Sequence, residues 1–235
     1  MKFILFLIVV LLTNIIQGIT GFAGTVLAMP FSISLIGVDA AKNILCMITI
    51  ISCLYISIKN YKYILWKELL YIVPIMFLGV LFGEYLYGIY PLDILLIVYS
   101  IFIILISLKG LFIKNDLSIN NTLLLFILML SGIIHGMFIS GGPLLIIYAS
   151  KKFKEKDTFR ATLSTIWVFL NSYMLISNLI RGLDILSIGK LTLYAVPALT
   201  IGLLIGNVLY KKINQNIFMK ITYILLLISG LFILV

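Results

Sequence analysis

The sequence predicts an all-α, polytopic integral membrane protein built from two inverted-topology repeats, each a Gly-broken helix hairpin followed by three transmembrane helices. Three observations predict it. First, 63% of residues are hydrophobic and only 11% charged, with a mean hydropathy of +1.25. Apolar runs of about 20 residues, enough to cross a hydrocarbon core, fill nearly the whole chain. They are uninterrupted rather than alternating, which excludes a membrane β-barrel, and no polar stretch is long enough for a soluble domain. Second, the chain matches itself. At an offset of 118, Gln17-Gly18 falls on His135-Gly136, Ala23-Gly24 on Gly141-Gly142, Lys42 on Arg160 and Asn60 on Asn178. Five residues later in register, VPIMFLGVLFGEYLY (73–87) falls on VPALTIGLLIGNVLY (196–210). Composition alone aligns Ile with Leu, but not Pro, Gly and a cation in place. Third, the cations cluster at the ends of apolar runs, as orientation signals do.

The elements follow in order. The first half, 1–115, opens with a Gly-interrupted segment at 3–37, then plain spans near 43–58, 69–87 and 94–108. The second half, 116–235, repeats the plan with an interrupted segment at 122–149 and spans near 161–180, 191–210 and 217–235. The run after Lys2 is not read as a cleaved signal peptide, because no small-x-small site precedes Gln17. In the second half the interrupted segment starts after Lys109 and Lys114 and ends at KKFKEKDTFR, so the positive-inside bias sets both ends in the cytoplasm. The segment therefore enters and returns, as a hairpin of short helices or a re-entrant pair. Propagated, this choice sets 13 of the 17 cations inside and leaves Lys2, Lys42, Arg181 and Lys190 outside. An odd number of crossings per half makes the two halves face opposite ways. Such repeats recur in secondary transporters.

The net charge of +9 belongs to these loops, so no nucleic-acid partner is implied; the partner is the bilayer. Cys46 and Cys53, seven residues apart on one helix, are too distant along its axis (about 10 Å) for a disulfide. The glycine breaks carry the chemistry. Irregular backbone at membrane depth is tolerated against protein or a water-filled cavity, and the N-terminus of a half-helix offers free N–H groups to an anion. Gln17, Gly18, Thr20, Gly21, Gly24 and Thr25 in one break, and His135, Ser140, Gly141 and Gly142 in the other, form the expected substrate site, with Asn14 beside it. The competing reading is that Gly18, Gly21 and Gly24 only let helices pack closely.

His135, the single histidine, is read either as a proton acceptor or relay or as a hydrogen-bonded packing group. Lys42 and Arg160 form an electrostatic funnel or, alternatively, snorkel and set orientation. Glu84, matched by Asn207, is read first as an outer-rim carboxylate and second as a buried coupling group. Asn178 and Asn60 are read as helix-end or interhelical bonds, and Asn171 lies mid-helix. A coupling ion, proton or sodium, is the implied partner of a carrier. No metal-ligand cluster or nucleotide motif implies a cofactor. The HGMFISGG stretch has a Ser near a His, yet position 138 is Phe and the His lies upstream on the same segment, so intramembrane proteolysis does not fit; a passive anion channel is the nearer rival.

GITGFAGTVLAMP followed by DAAK, and GIIHGMFISGGPLLIIYAS followed by FRATLS, resemble the paired signatures of the sulfite exporter TauE/SafE-type permeases across the whole chain. The first copy departs at Ala23, where the family has Gly. The resemblance implies secondary transport of sulfite, sulfonates or related sulfur and organic acids across a prokaryotic plasma membrane. It also implies that Gly21, Gly24, Gly141 and Gly142 face substrate, with Pro30 and Pro143 as structural stops.

Overall fold

A computed structural model of the chain describes residues 2–112, 120–153, 155–212 and, in the last segment, 220, 223–224, 227–228 and 230–232. The expected span 217–235 therefore lies largely outside the described residues, as do Lys114, Lys154 and the boundary between the two halves. The described elements are nine α-helices and one 3₁₀ turn: α1 (Lys2–Thr20), α2 (Ala23–Ile36), α3 (Val38–Lys59), the turn Tyr61–Tyr63, α4 (Trp66–Ile89), α5 (Leu92–Phe112), α6 (Asn121–Phe138), α7 (Gly142–Lys152), α8 (Lys156–Ile180) and α9 (Ile185–Tyr210). Seven of them, all but α2 and α7, are long and apolar enough to cross a membrane. The chain is thus an all-helical, multi-pass membrane protein.

Each interrupted segment is one span-length helix and one short one, rather than two equally short arms. The 14 residues of α2 and the 11 of α7 rise roughly 21 Å and 16 Å, less than the hydrocarbon thickness. Both long arms end the same way. The Gly21 amide donates to the Gln17 carbonyl, and the Ile139 amide to the His135 carbonyl, each at 2.7 Å. Gly21 and Ile139 both take positive φ, 79° and 55°. A left-handed residue is a common stop for a helix, and Gly adopts it freely. For β-branched Ile139 the same conformation costs about 1–2 kcal/mol, so surrounding packing must hold it there.

Packing of the long helices exchanges partners between the halves: α1 lies along α9, α4 along α6, and α3 along α8. Where lipid competes with any apolar helix surface, close backbone approach supplies the attraction, and small residues permit it. A Cβ built on Gly18 would meet Gly206 Cα at 3.0 Å, and one on Gly206 would meet Gly18 Cα at 2.9 Å. In the other seam, Gly79 and Gly132 stand in the same relation, at 2.9 and 3.0 Å. Gly18, expected at the substrate site, is therefore a seam residue. Asn14 faces the same seam, its Cβ 3.1 Å from a Cβ built on Gly202, and its amide bonds back to the Val10 carbonyl.

The α3/α8 pair is antiparallel. Asn178 donates to Asn43 at 2.8 Å near one end, Cys46 Sγ to the Asn171 carbonyl at 3.2 Å in the middle, and Thr165 to Ser57 at 3.1 Å near the other end. Asn178 thus makes an interhelical bond and Asn60 closes α3 by donating to the Ile56 carbonyl. Both cysteines are buried and free.

The loops sort by end. The Leu65 amide donates to Thr162, Tyr148 to Glu68, and Asn121 shares a cavity with Glu68, Tyr148 and Lys152. The start of α6, the end of α7, the α3–α4 loop and the start of α8 therefore share one end, the lysine-rich one. Glu84, Tyr87, Asn178 and Arg181 mark the opposite end.

Two outcomes follow from this packing. Single cysteines at Lys62, Lys152 and Lys211 will react with an impermeant maleimide from the same face of oriented vesicles, and one at Lys190 from the other face. Gly206→Val will overpack the α1/α9 seam by about 1–3 kcal/mol and lower the melting temperature in detergent. Gly88→Ala, which meets nothing within 4 Å, will leave it unchanged.

Candidate functional site

The two breaks touch. A Cβ on Gly142 would lie 3.2 Å from Phe22 and 3.5 Å from Val26, so the starts of α2 and α7 are in close contact. Gly21 packs on α8, where a Cβ would meet Ser164 Oγ at 2.9 Å and the Arg160 carbonyl at 3.0 Å. Glycine is required there twice over, for its φ and for its closeness to α8.

The first break is internally closed. Gln17 Oε1 accepts the Gly24 amide at 2.8 Å, while its Nε2 donates to Cys53 Sγ at 3.1 Å. Thr20 Oγ1 accepts the Phe22 and Ala23 amides at 3.3 and 3.2 Å and donates to the Ile16 carbonyl. The sequence reading offers these amides to an anion. Those of Ala23 and Gly24 are instead capped by side chains from the preceding turn, because a buried donor left unpaired costs more than a hydrogen bond returns. Thr25 is buried one residue further on.

The second break is closed differently. Ser131 donates to the Gly141 carbonyl at 2.7 Å, and Tyr99 donates at 2.6 Å to Ser140, which donates in turn to the Phe138 carbonyl. Pro143, in the first turn of α7, has no amide to offer. His135 does not replace Gln17. It is 1% exposed, its ring lies against that of Trp167 with centroids 4.8 Å apart and a tilt of 30°, and neither ring nitrogen has a partner among the described residues. Trp167 Nε1 and Asn171 Oδ1, a turn apart on α8, are also buried without partners. Trp167 was not singled out by sequence reasoning; a tryptophan amid apolar residues carries no signal until its neighbour is known.

The two funnel cations sit at opposite ends of the antiparallel α3/α8 pair, each in a matched cluster. Lys42 Nζ lies 3.4 Å from the Tyr87 ring centroid, and Tyr87 donates to Asp39 at 2.8 Å. The Arg160 guanidinium lies 4.5 Å from the Tyr210 ring centroid, and Tyr210 donates to Asp157 at 2.6 Å. Both cations are buried, at 7% and 6% exposure, rather than snorkelling to the surface. Cation–π contact of this kind compensates part of their desolvation. The clusters differ at several positions, and Lys156 Nζ also lies 3.8 Å from the Tyr210 ring centroid where the matched residue is Val38. Arg160 donates to Asn207, whereas the matched Glu84 accepts from Arg181 at 2.8 Å and Ser177 at 3.3 Å. The Glu84 side chain is 5% exposed, so its place is inside the protein and not on the rim.

No group of three or more His, Cys, Asp or Glu able to hold a metal occurs among the described residues. The sequence model of the sulfite exporter TauE/SafE family matches residues 5–233. The chain belongs to this family. The family is one of membrane exporters and permeases, which agrees with the multi-pass fold and its seven span-length helices. No curated protein and no solved structure matches the chain.

Gln17→Leu will leave the buried Gly24 amide unpaired in this permease. The expected loss is about 1–3 kcal/mol of stability, read as a lower melting temperature in detergent. Gln17→Glu, which keeps an acceptor at that position, will lose less.

Proposed function

We propose that this TauE/SafE-family chain is a secondary transporter of a small oxyanion: sulfite, a sulfonate or a related sulfur or organic acid. It works in the plasma membrane of a prokaryote by alternating access between two inverted repeats, 1–115 and 116–235. The repeat reading is supported by partner exchange, α1 with α9 and α4 with α6, and by matched left-handed stops at Gly21 and Ile139. The site lies where the two breaks meet, with Gly21, Gly24, Gly141, Gly142 and Ser140 shaping its backbone.

The observation that carries the reading is the buried, unpartnered polar set of His135, Trp167 and Asn171 beside the second break. Polar groups in a membrane interior are costly and are kept where they contact cargo or one another. An indole N–H and an imidazole N–H suit the oxygens of a small oxyanion, and the Asn171 carbonyl suits a protonated oxygen such as that of bisulfite. Gln17, Thr20 and Thr25 then support the opposing break, and Lys42 and Arg160 draw the anion in from either end. The chemistry is movement and not bond-making, so the chain is not an enzyme.

In proteoliposomes, uptake of radiolabelled sulfite will saturate and show counterflow. Conductance far above carrier turnover would instead establish a passive channel. Trp167→Phe keeps the ring contact and removes the N–H; it will weaken apparent affinity about tenfold, the worth of one hydrogen bond to a charged group. Unchanged affinity for both Trp167→Phe and His135→Ala would remove the site from this location.

A further inference from the structure

We propose that the cavity at the end opposite the lysine-rich loops is a proton-linked oxyanion site, where a monoanion binds Lys42 and Arg181 together with a proton taken up by Glu84. This deepens the transport reading and rests on it. The cavity, of about 110 Å³, is lined by Asp39, Lys42 and Asn43 of α3, Glu84 and Tyr87 of α4, and Asn178 and Arg181 at the end of α8. At roughly 30 Å³ per water, that volume admits a small oxyanion or a few waters. The Arg181 side chain is 59% exposed while that of Glu84 is 5% exposed, so the cavity leads from the surface to a buried carboxylate.

Charge decides what this cavity can hold. Two cations, Lys42 and Arg181, face two carboxylates, Asp39 and Glu84, and the other groups within electrostatic reach are Tyr87, Cys46 and, from α6, His135. With both carboxylates ionised the cavity is neutral, and a buried monoanion adds an uncompensated charge. Adding one proton along with the anion restores balance.

Glu84 is the group built to take that proton. Asp39 Oδ1 already accepts the Tyr87 hydroxyl at 2.8 Å. Glu84 Oε2 accepts from Arg181 and Ser177, while Oε1 is buried with no partner among the described residues. Protonated at Oε1, the carboxyl becomes a donor to an oxygen of the anion, and Arg181 is freed to bind the anion as well. The matched cluster lacks this device. There Asn207 already bonds Arg160 and cannot take up a proton, and the carboxylate, Asp157, stands with two cations, Lys156 and Arg160, so an anion entering at that end needs no accompanying proton for balance. The Glu-for-Asn difference, together with Lys156 at one end and Arg181 at the other, therefore couples proton and anion at one end of the protein.

The test uses the full chain in detergent and permanently ionised monoanions (methanesulfonate, ethanesulfonate and nitrate), so that any proton taken up belongs to the protein. Calorimetric titration between pH 5 and 9, in buffers of different ionisation enthalpy, is expected to show uptake rising to about one proton per anion bound. Affinity is expected to fall about tenfold per pH unit over the upper part of that range. Glu84→Gln is expected to bind no more weakly and to lose both the uptake and the pH dependence. Binding with no proton uptake at any pH would overturn the proposal while leaving sulfite transport intact. Uptake that persists in Glu84→Gln would also overturn it, as would no binding of any of the three anions. Failure of the transport reading is seen separately, as absence of sulfite flux by the wild type.

Discussion

Every backbone amide and carbonyl at membrane depth must find its partner within the protein, and the rest of this structure depends on that constraint. A continuous helix meets it alone. A helix broken at Gly21 or Ile139 does not, and each break is closed from its own neighbourhood. Gln17 and Thr20 reach forward to the first turn of α2, while Ser131 and the Tyr99–Ser140 pair secure the turn before α7. The close seams of α1 on α9 and α4 on α6 serve the same end. Glycines at 18, 79, 132 and 206 let backbones approach until no polar group between them meets lipid.

Closure is not equal on the two sides, and the proposed site rests on that inequality. Matched positions hold Gln17 and His135, one bonded at both ends of its amide and the other bonded at neither nitrogen. Matched positions also hold Glu84 and Asn207, one able to carry charge and the other fixed as neutral. Both interrupted segments keep their breaks covered by neighbouring side chains. The positions at which they differ are free to make one break a support and the other a contact for cargo.

Much of this was legible along the chain. Apolar length located the spans, because the bilayer imposes a length on any crossing helix. Gly and Pro located the breaks, because few other residues take the required φ or stop a helix. The self-match at 118 residues paired Lys42 with Arg160. The same offset pairs Asp39 with Asp157, and the shifted register pairs Tyr87 with Tyr210; these partners of the two cations were within reach of the same comparison. Trp167 and Asn171 were not. Trp167 faces His135 from another helix and Asn171 lies a turn further along α8, and helix-to-helix facing depends on crossing geometry that no local pattern encodes.

The sequence by itself determined an all-helical membrane protein and the places where its helices break, and its self-match pointed to corresponding residues. These follow from local physics: hydropathy, backbone freedom and repetition. Only the tertiary structure decided that Gly18 belongs to a seam and not to the break, that Glu84 is buried beside Arg181, and that α2's first amides are already capped. Each of those depends on which side chain from a distant helix arrives first at a polar group, and that competition is settled by packing.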